Sequence, residues 1–156
     1  MPTTAAVGAK LSAAIWNADV ETGLGAWTAW TPSWSATGTA VAIGNGTFSG
    51  RYMQIGKTVT AQFYIFSGTT TTYGTGNYQF SFPVTAHSSY IAEVAMGVAA
   101  FKRATRYSGT LIYAGALTAL VNYGAGASAG TLSQTAPGTW AAADLICSGT
   151  FVYEAA

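Results

Sequence analysis

One histidine, one cysteine and five carboxylates are all this 156-residue chain has for acid–base, nucleophilic or metal chemistry. Ser–His catalysis needs a hydroxyl beside the imidazole and a third group to orient the ring. His87 stands in a polar turn, Thr85-Ala86-His87-Ser88-Ser89, with no carboxylate nearby in sequence, and reads as an exposed loop histidine. A single His and a single Cys cannot build a His/Cys zinc site within one chain. Only a ring of His87 from three copies would do so. Glycoside hydrolysis needs two carboxylates flanking one bond. Asp19 and Glu21 fall in a helical segment and Glu154 near the C-terminus, which leaves Glu93 and Asp144. Asp144 opens the last strand after a turn, and Glu93 has Arg51 or Arg103 as a candidate ion-pair partner. No catalytic residue, cofactor or metal is expected, and the chain reads as non-enzymatic.

The remaining motifs point the same way. Gly44-Asn45-Gly46 and Gly124-Ala125-Gly126 precede no helix and lack the Lys-Ser/Thr of a phosphate loop, so both read as hairpin turns. Thr69–Thr72 reads as an exposed loop tip. Cys147 cannot form an internal disulfide and sits in an alternating apolar run, as a small buried hydrophobe would. Lys102, Arg103 and Arg106 are the one close basic group, read as a solvated turn between strands. A net charge of +1 excludes the clustered basic face that a nucleic-acid partner requires. The last candidate signal is aromatic. Trp27, Trp30, Trp34, Tyr73, Tyr90, Tyr107 and Trp140 either fill the ends of the domain and a subunit contact or stack on sugars. Tyr73, Tyr90 and Tyr107 are the candidate glycan or receptor contacts.

The elements that position these residues are mostly strands. Residues 1–9 read as a flexible arm, and Lys10 to Thr22 as the one helix, with Leu11, Ile15 and Ala18 on one face beside the pair Trp16 and Val20. About a dozen residues make a helix that is marginal alone, so it needs a partner to pack against. After Gly25 the pattern is β. Val59, Ala61, Phe63 and Ile65 share one strand face, and Tyr78, Phe80 and Phe82 share another. Further strands are expected at Tyr90–Phe101, Thr110–Ala114, Leu117–Tyr123 and Asp144–Tyr153. With Gly- and Pro-rich turns between them, they predict an all-β fold: an antiparallel β-sandwich or jelly-roll-like barrel. Residues 1–24 form an attachment element and residues 25–156 the β domain.

Composition adds a condition. Only 7% of the chain is charged while 50% is hydrophobic, against about 25% charged in ordinary soluble domains. Runs such as Phe63-Tyr64-Ile65-Phe66 and Ile146-Cys147 carry apolar side chains on both faces, which is unusual for the solvated side of a sandwich. The expectation is that copies of the chain cover those faces. The most apolar stretch, Ile91 to Phe101, is too short for a spanning helix, so no membrane insertion is expected. The N-terminus shows no signal peptide, which implies synthesis in the cytoplasm of the producing cell.

Four segments together resemble tail-fibre and minor structural proteins of phages that infect actinobacteria. They are Leu11 to Val20; Trp27 to Ile65, with Trp30-Thr31-Pro32-Ser33-Trp34, Gly44–Thr47, Tyr52 and Gly56–Val59; Tyr78 to Pro83; and Pro137 to Ala156, with Thr139-Trp140 and Asp144. The resemblance implies a non-enzymatic β domain on the virion surface, typically a homotrimer. Its partners would be itself, capsid or tail proteins, and host-surface glycan. The long N-terminal shaft usual in such fibres is not seen here, which implies head decoration or a head fibre as the alternative to a tail fibre. Leu11, Ile15, Trp16 and Val20 would then dock the module on the particle.

Overall fold

Strand formation follows the alternation of apolar and polar side chains, and the edges of each strand follow its turn residues. The computed structural model describes residues 25–115, 118–123 and 130–156, the backbone alone for 118–123. The arm, the helix and its residues Leu11, Ile15, Trp16 and Val20 lie outside the described residues, as does the turn at 124–126. In chain order the strands are β1 Thr28–Trp30, β2 Trp34–Ala36, β3 Thr47–Ile55, β4 Thr58–Phe66 and β5 Tyr78–Ser81. They continue with β6 Ala95–Lys102, β7 Arg106–Gly115, β8 Thr118–Tyr123, β9 Gly130–Thr131 and β10 Leu145–Glu154. The described residues are therefore all β, and every strand pairing is antiparallel.

The strands form one hydrogen-bonded path, β1-β3-β4-β10-β6-β7-β8-β5-β2, with β9 added to β8. Its two ends are β1 and β2, which only Thr31, Pro32 and Ser33 separate in sequence. Laid flat, eight strand spacings would hold those ends roughly 38 Å apart. Four Cα steps from Trp30 to Trp34 span about 15 Å at most. The sheet has to fold over on itself, and covalent connectivity at Pro32 fixes that closure.

The ring contacts show the same closure from inside. Four strands separate Phe63 on β4 from Phe80 on β5 in the path, yet their ring centroids lie 5.3 Å apart. Phe82, just beyond β5, packs on Phe151 of β10 at 5.5 Å and on Tyr153 at 4.9 Å. Trp30 closes one end against Phe63 at 6.0 Å, and Trp34 the other against Tyr78 at 5.0 Å. Val59, Ala61, Phe63 and Ile65 are buried along β4, as their spacing predicts, and so are Tyr78, Phe80 and Phe82. Removing each large side chain from water stabilises the fold by roughly 1.5–3 kcal/mol.

Several readings of the sequence change in the structure; the strand expected from Tyr90 begins only at Ala95. Ile146 and Cys147 are both fully buried because a bulge at Leu145–Cys147 turns consecutive side chains inward. Apolar neighbours there reflect a local register shift and carry no information about an outer contact. The Thr69–Thr72 segment is not a free loop tip. Asn45 Oδ1 accepts bonds from the Thr70 N–H and Oγ1, both at 3.0 Å, and Asn45 Nδ2 donates to Thr69 Oγ1 at 3.0 Å. Gly44-Asn45-Gly46 is thus a clamp on 69–71, flanked by the bridge Ala42↔Thr72, and does not link two paired strands. A two-residue hairpin loop is formed by Gly56-Lys57, between Ile55 and Thr58. Gly56 adopts a φ of 58° at its first position, as a type II′ turn demands.

Candidate functional site

The face of the sheet turned away from this core holds a groove of about 790 Å³ across β3, β4, β10, β6 and β7. Register builds it. One rung runs Ser49, Tyr64, Ser148, Ala100, Ser108, each paired with the next across neighbouring strands. The next rung, two residues along, runs Arg51, Gln62, Thr150, Val98, Thr110. Their inward neighbours Phe63, Ala99 and Phe151 are in the core, so strand alternation sends these rungs outward. The floor is low because its middle holds the small side chains of Ser148 and Ala100. Gly149 is required by the core beneath: a Cβ there would lie 2.7 Å from Leu111 Cδ1 and 2.9 Å from Phe63 Cε1.

One end of the groove is a layered set of planar groups. Arg51 Nε and Nη2 both donate to Gln62 Oε1, at 3.3 and 3.1 Å. The same guanidinium sits 4.6 Å above the ring of Trp27, which is 41% exposed. Tyr64 stands on the adjacent rung, 41% exposed, with Phe66 beyond it at 5.8 Å between centroids. The opposite flank is basic. Lys102 and Arg106 face each other as the closing pair of the β6–β7 hairpin, one rung beyond Ala100 and Ser108. No carboxylate lines the groove. Glu154 shares the outward parity of β10 but pairs with Thr58, about 13 Å along the strand from Thr150.

This arrangement offers hydroxyls, one amide, cations and an exposed aromatic face. Such groups bind; none is a poised nucleophile or a paired acid and base. The groove was missed in the sequence because its members are the outward halves of strands read for their inward halves. The alternation Gln62-Tyr64 and Ser148-Thr150 was visible, but which strands lie side by side was not.

The other candidate residues lie elsewhere. Tyr73 is half-buried against Trp34, with ring centroids 6.4 Å apart. Tyr90 packs on Tyr113 at 5.6 Å, and its hydroxyl accepts the Glu154 N–H at 3.0 Å. Tyr107 stacks on Phe101 at 5.4 Å. Tyr107 and Tyr113 are six residues apart on β7, so Tyr90 and Tyr107 sit roughly 20 Å from each other. The structure does not bring these tyrosines together. Trp34 and Trp140 are buried, and Trp140 Nε1 donates to Ser133 O at 2.7 Å.

His87 is half-buried. Its Nδ1 lies 2.8 Å from Ser89 Oγ and accepts the Ser89 N–H at 3.2 Å, closing a local turn. Asp144 Oδ2 accepts the Ala141 N–H at 2.7 Å and its carbonyl accepts the Ser67 N–H at 3.0 Å, the work of a loop brace. Glu93 lies exposed in a turn at φ 72° before β6. The structure puts Arg51 on Gln62 and Trp27 and Arg103 against Gly138, so the anticipated Glu93 ion pair is not formed among the described residues. Cys147 is fully buried, and burial pushes its thiol well above the usual range. Among the described residues no group of three His, Cys, Asp or Glu could hold a metal ion, and no helix is long and apolar enough to cross a membrane.

No protein-family model, curated protein or solved structure matches this chain.

Proposed function

We propose that this chain is a non-enzymatic binding module displayed on a phage particle. In this reading it is a β-sandwich or jelly-roll-like barrel, assembled as a homotrimer. It is tethered to capsid or tail through Leu11, Ile15, Trp16 and Val20 of residues 1–24, and its grooved face meets carbohydrate on the host surface. The observation that carries the binding reading is the groove itself: hydroxyls of Ser49, Ser108, Ser148 and Thr150 beside the exposed ring of Tyr64. Sugars present hydroxyls at their edges and C–H faces to aromatic rings, and pockets of 300–1,000 Å³ suit small ligands. The virion setting rests on the resemblance of the turn and strand-end motifs from Leu11 to Ala156. Trimeric display would multiply a weak single-site affinity.

Purified protein is expected to adsorb to susceptible cells, and enzymatic removal of surface glycan is expected to abolish adsorption. Adsorption that survives complete deglycosylation overturns the carbohydrate assignment. Deleting residues 1–24 is expected to remove the protein from particles without affecting its folded β domain. Sedimentation at micromolar concentration is expected to return a trimer.

A second reading has its own observation. Val98 is 68% exposed, Val152 51% and Phe66 40%, all on the grooved side, so copies of the chain would gain by covering them. In a trimer the contact is heterologous, so the grooved face would meet a different surface of the next copy. Val98→Asp separates the two readings: a trimer that dissociates on this change would make the groove a subunit contact.

A further inference from the structure

Resting on the carbohydrate reading above, we propose that the groove selects acidic saccharides, meaning chains bearing carboxylate or phosphate groups, and that Arg51, Lys102 and Arg106 read the acid. Three observations meet here. Lys102 and Arg106 are directly opposite each other on paired strands, an arrangement that like charges disfavour and that nothing in the packing requires, since both are exposed. The Arg51 guanidinium is held in place on two sides, by Gln62 Oε1 and by the Trp27 ring, which leaves Nη1 directed to neither. No carboxylate is among the residues that line the groove, and Asp144, next to Leu145 opposite Lys102, has its Oδ2 engaged by the Ala141 N–H.

The spacing sets the size of the ligand. Arg51 and Lys102 are three strands and four residues apart, roughly 20 Å along the diagonal of the face. A ligand that reaches both is an oligosaccharide lying across the rungs, with Ser148 and Thr150 beneath its middle. A planar guanidinium pairs with carboxylate or phosphate through two parallel bonds, whereas the lysine contributes a point charge. Acid recognition is therefore concentrated at Arg51, with the β6–β7 pair steering the charged chain into register.

The test uses the full-length protein and an immobilised panel of oligosaccharides in matched pairs, each uronate-, sialate- or phosphate-bearing chain beside its neutral counterpart. Binding is expected to acidic members, to weaken on raising salt to about 0.5 M, and to fall by about tenfold or more in Arg51→Gln and in Lys102→Gln/Arg106→Gln. Val152→Ala, a non-polar change at an exposed position outside the groove lining, is expected to leave the acidic-over-neutral ratio unchanged. Each variant residue is exposed, and an unchanged thermal unfolding midpoint confirms that the fold is intact. Equal binding to acidic and neutral partners overturns the acid selection and leaves the carbohydrate reading standing. Silence across the whole panel, with cell adsorption also absent, overturns the carbohydrate reading itself. Retention of acid preference in both charge variants overturns the assignment of the residues.

Discussion

Arg51 and Gln62 face each other across the β3–β4 ladder, and a single amide oxygen receives two of the guanidinium's N–H groups, at 3.3 and 3.1 Å. The pair is solvent-accessible, so its contribution to stability is small. Its effect is on order: Gln62 on one side and Trp27 on the other restrict a long side chain that would otherwise sample many rotamers. Gln62→Ala should shift stability by less than about 0.5 kcal/mol while reducing affinity for an acidic oligosaccharide by about fivefold, through lost preorganisation. Thermal unfolding and titration of the same sample check both halves. A fall in stability with unchanged affinity would make the pair a purely structural contact.

Tyr153 and Val84 make the second relationship with consequences. The Tyr153 hydroxyl donates to Val84 O at 2.7 Å and accepts the Val84 N–H at 3.1 Å, tying the 82–90 segment to the last strand. Tyr153→Phe leaves both backbone groups of a half-buried residue without that partner and should cost about 1–3 kcal/mol. Burial raises the Tyr153 phenol from 10.0 to about 12, the hydrogen bond to Val84 acting the other way and Tyr52 adding to the rise. Burial raises Tyr78 and Cys147 in the same sense. The native state therefore keeps these groups protonated where the unfolded chain has ionised. For Tyr153 that contribution to stability is full below pH 10 and is lost as pH climbs toward 12, while for Cys147 the loss begins near its ordinary value of 9.0. Chemical denaturation at a series of alkaline pH values should show the decline beginning between 9.0 and 10.0. Stability that holds flat to pH 12 would contradict the burial of Tyr153.

Gly149 links the groove to the core. A methyl group added there meets Leu111 and Phe63, both enclosed and without room to retreat. Gly149→Ala should destabilise by about 1–3 kcal/mol through overpacking on the core side of β10. A variant of wild-type stability would show that the sheet yields locally. Measuring the midpoint in urea with its slope distinguishes lost stability from a changed denatured state.

Asn45 carries the clamp on residues 69–71. Asn45→Ala removes bonds to Thr69 and Thr70 and leaves the Thr70 N–H without its acceptor. Because these groups are exposed and water can replace the lost partners, the expected cost is about 0.5–1.5 kcal/mol, with faster hydrogen exchange at Thr70 and Thr71 than in the parent chain. Exchange rates that do not change would place the order of that loop in its backbone bridge Ala42↔Thr72 instead.

Alternation in the sequence determined the buried side of strands such as β4 and β5, because a strand's side chains point to opposite faces with a period of two. Val59 to Ile65, Tyr78 to Phe82 and the all-β antiparallel fold were legible for that reason. β3, whose alternation is weak, was not legible. The poverty of His, Cys and carboxylates was legible too, since residue types alone limit the chemistry available. The tertiary structure decided what depends on partners distant in sequence. It set Arg51 beside Gln62 and Ser148 beside both Tyr64 and Ala100, because ladder order places β10 between β4 and β6. It turned Ile146 inward through a bulge that no periodicity announces, and gave Thr70 to Asn45 across 25 residues of chain. Local pattern fixes the direction a side chain points; only register between non-adjacent strands fixes which side chains it meets.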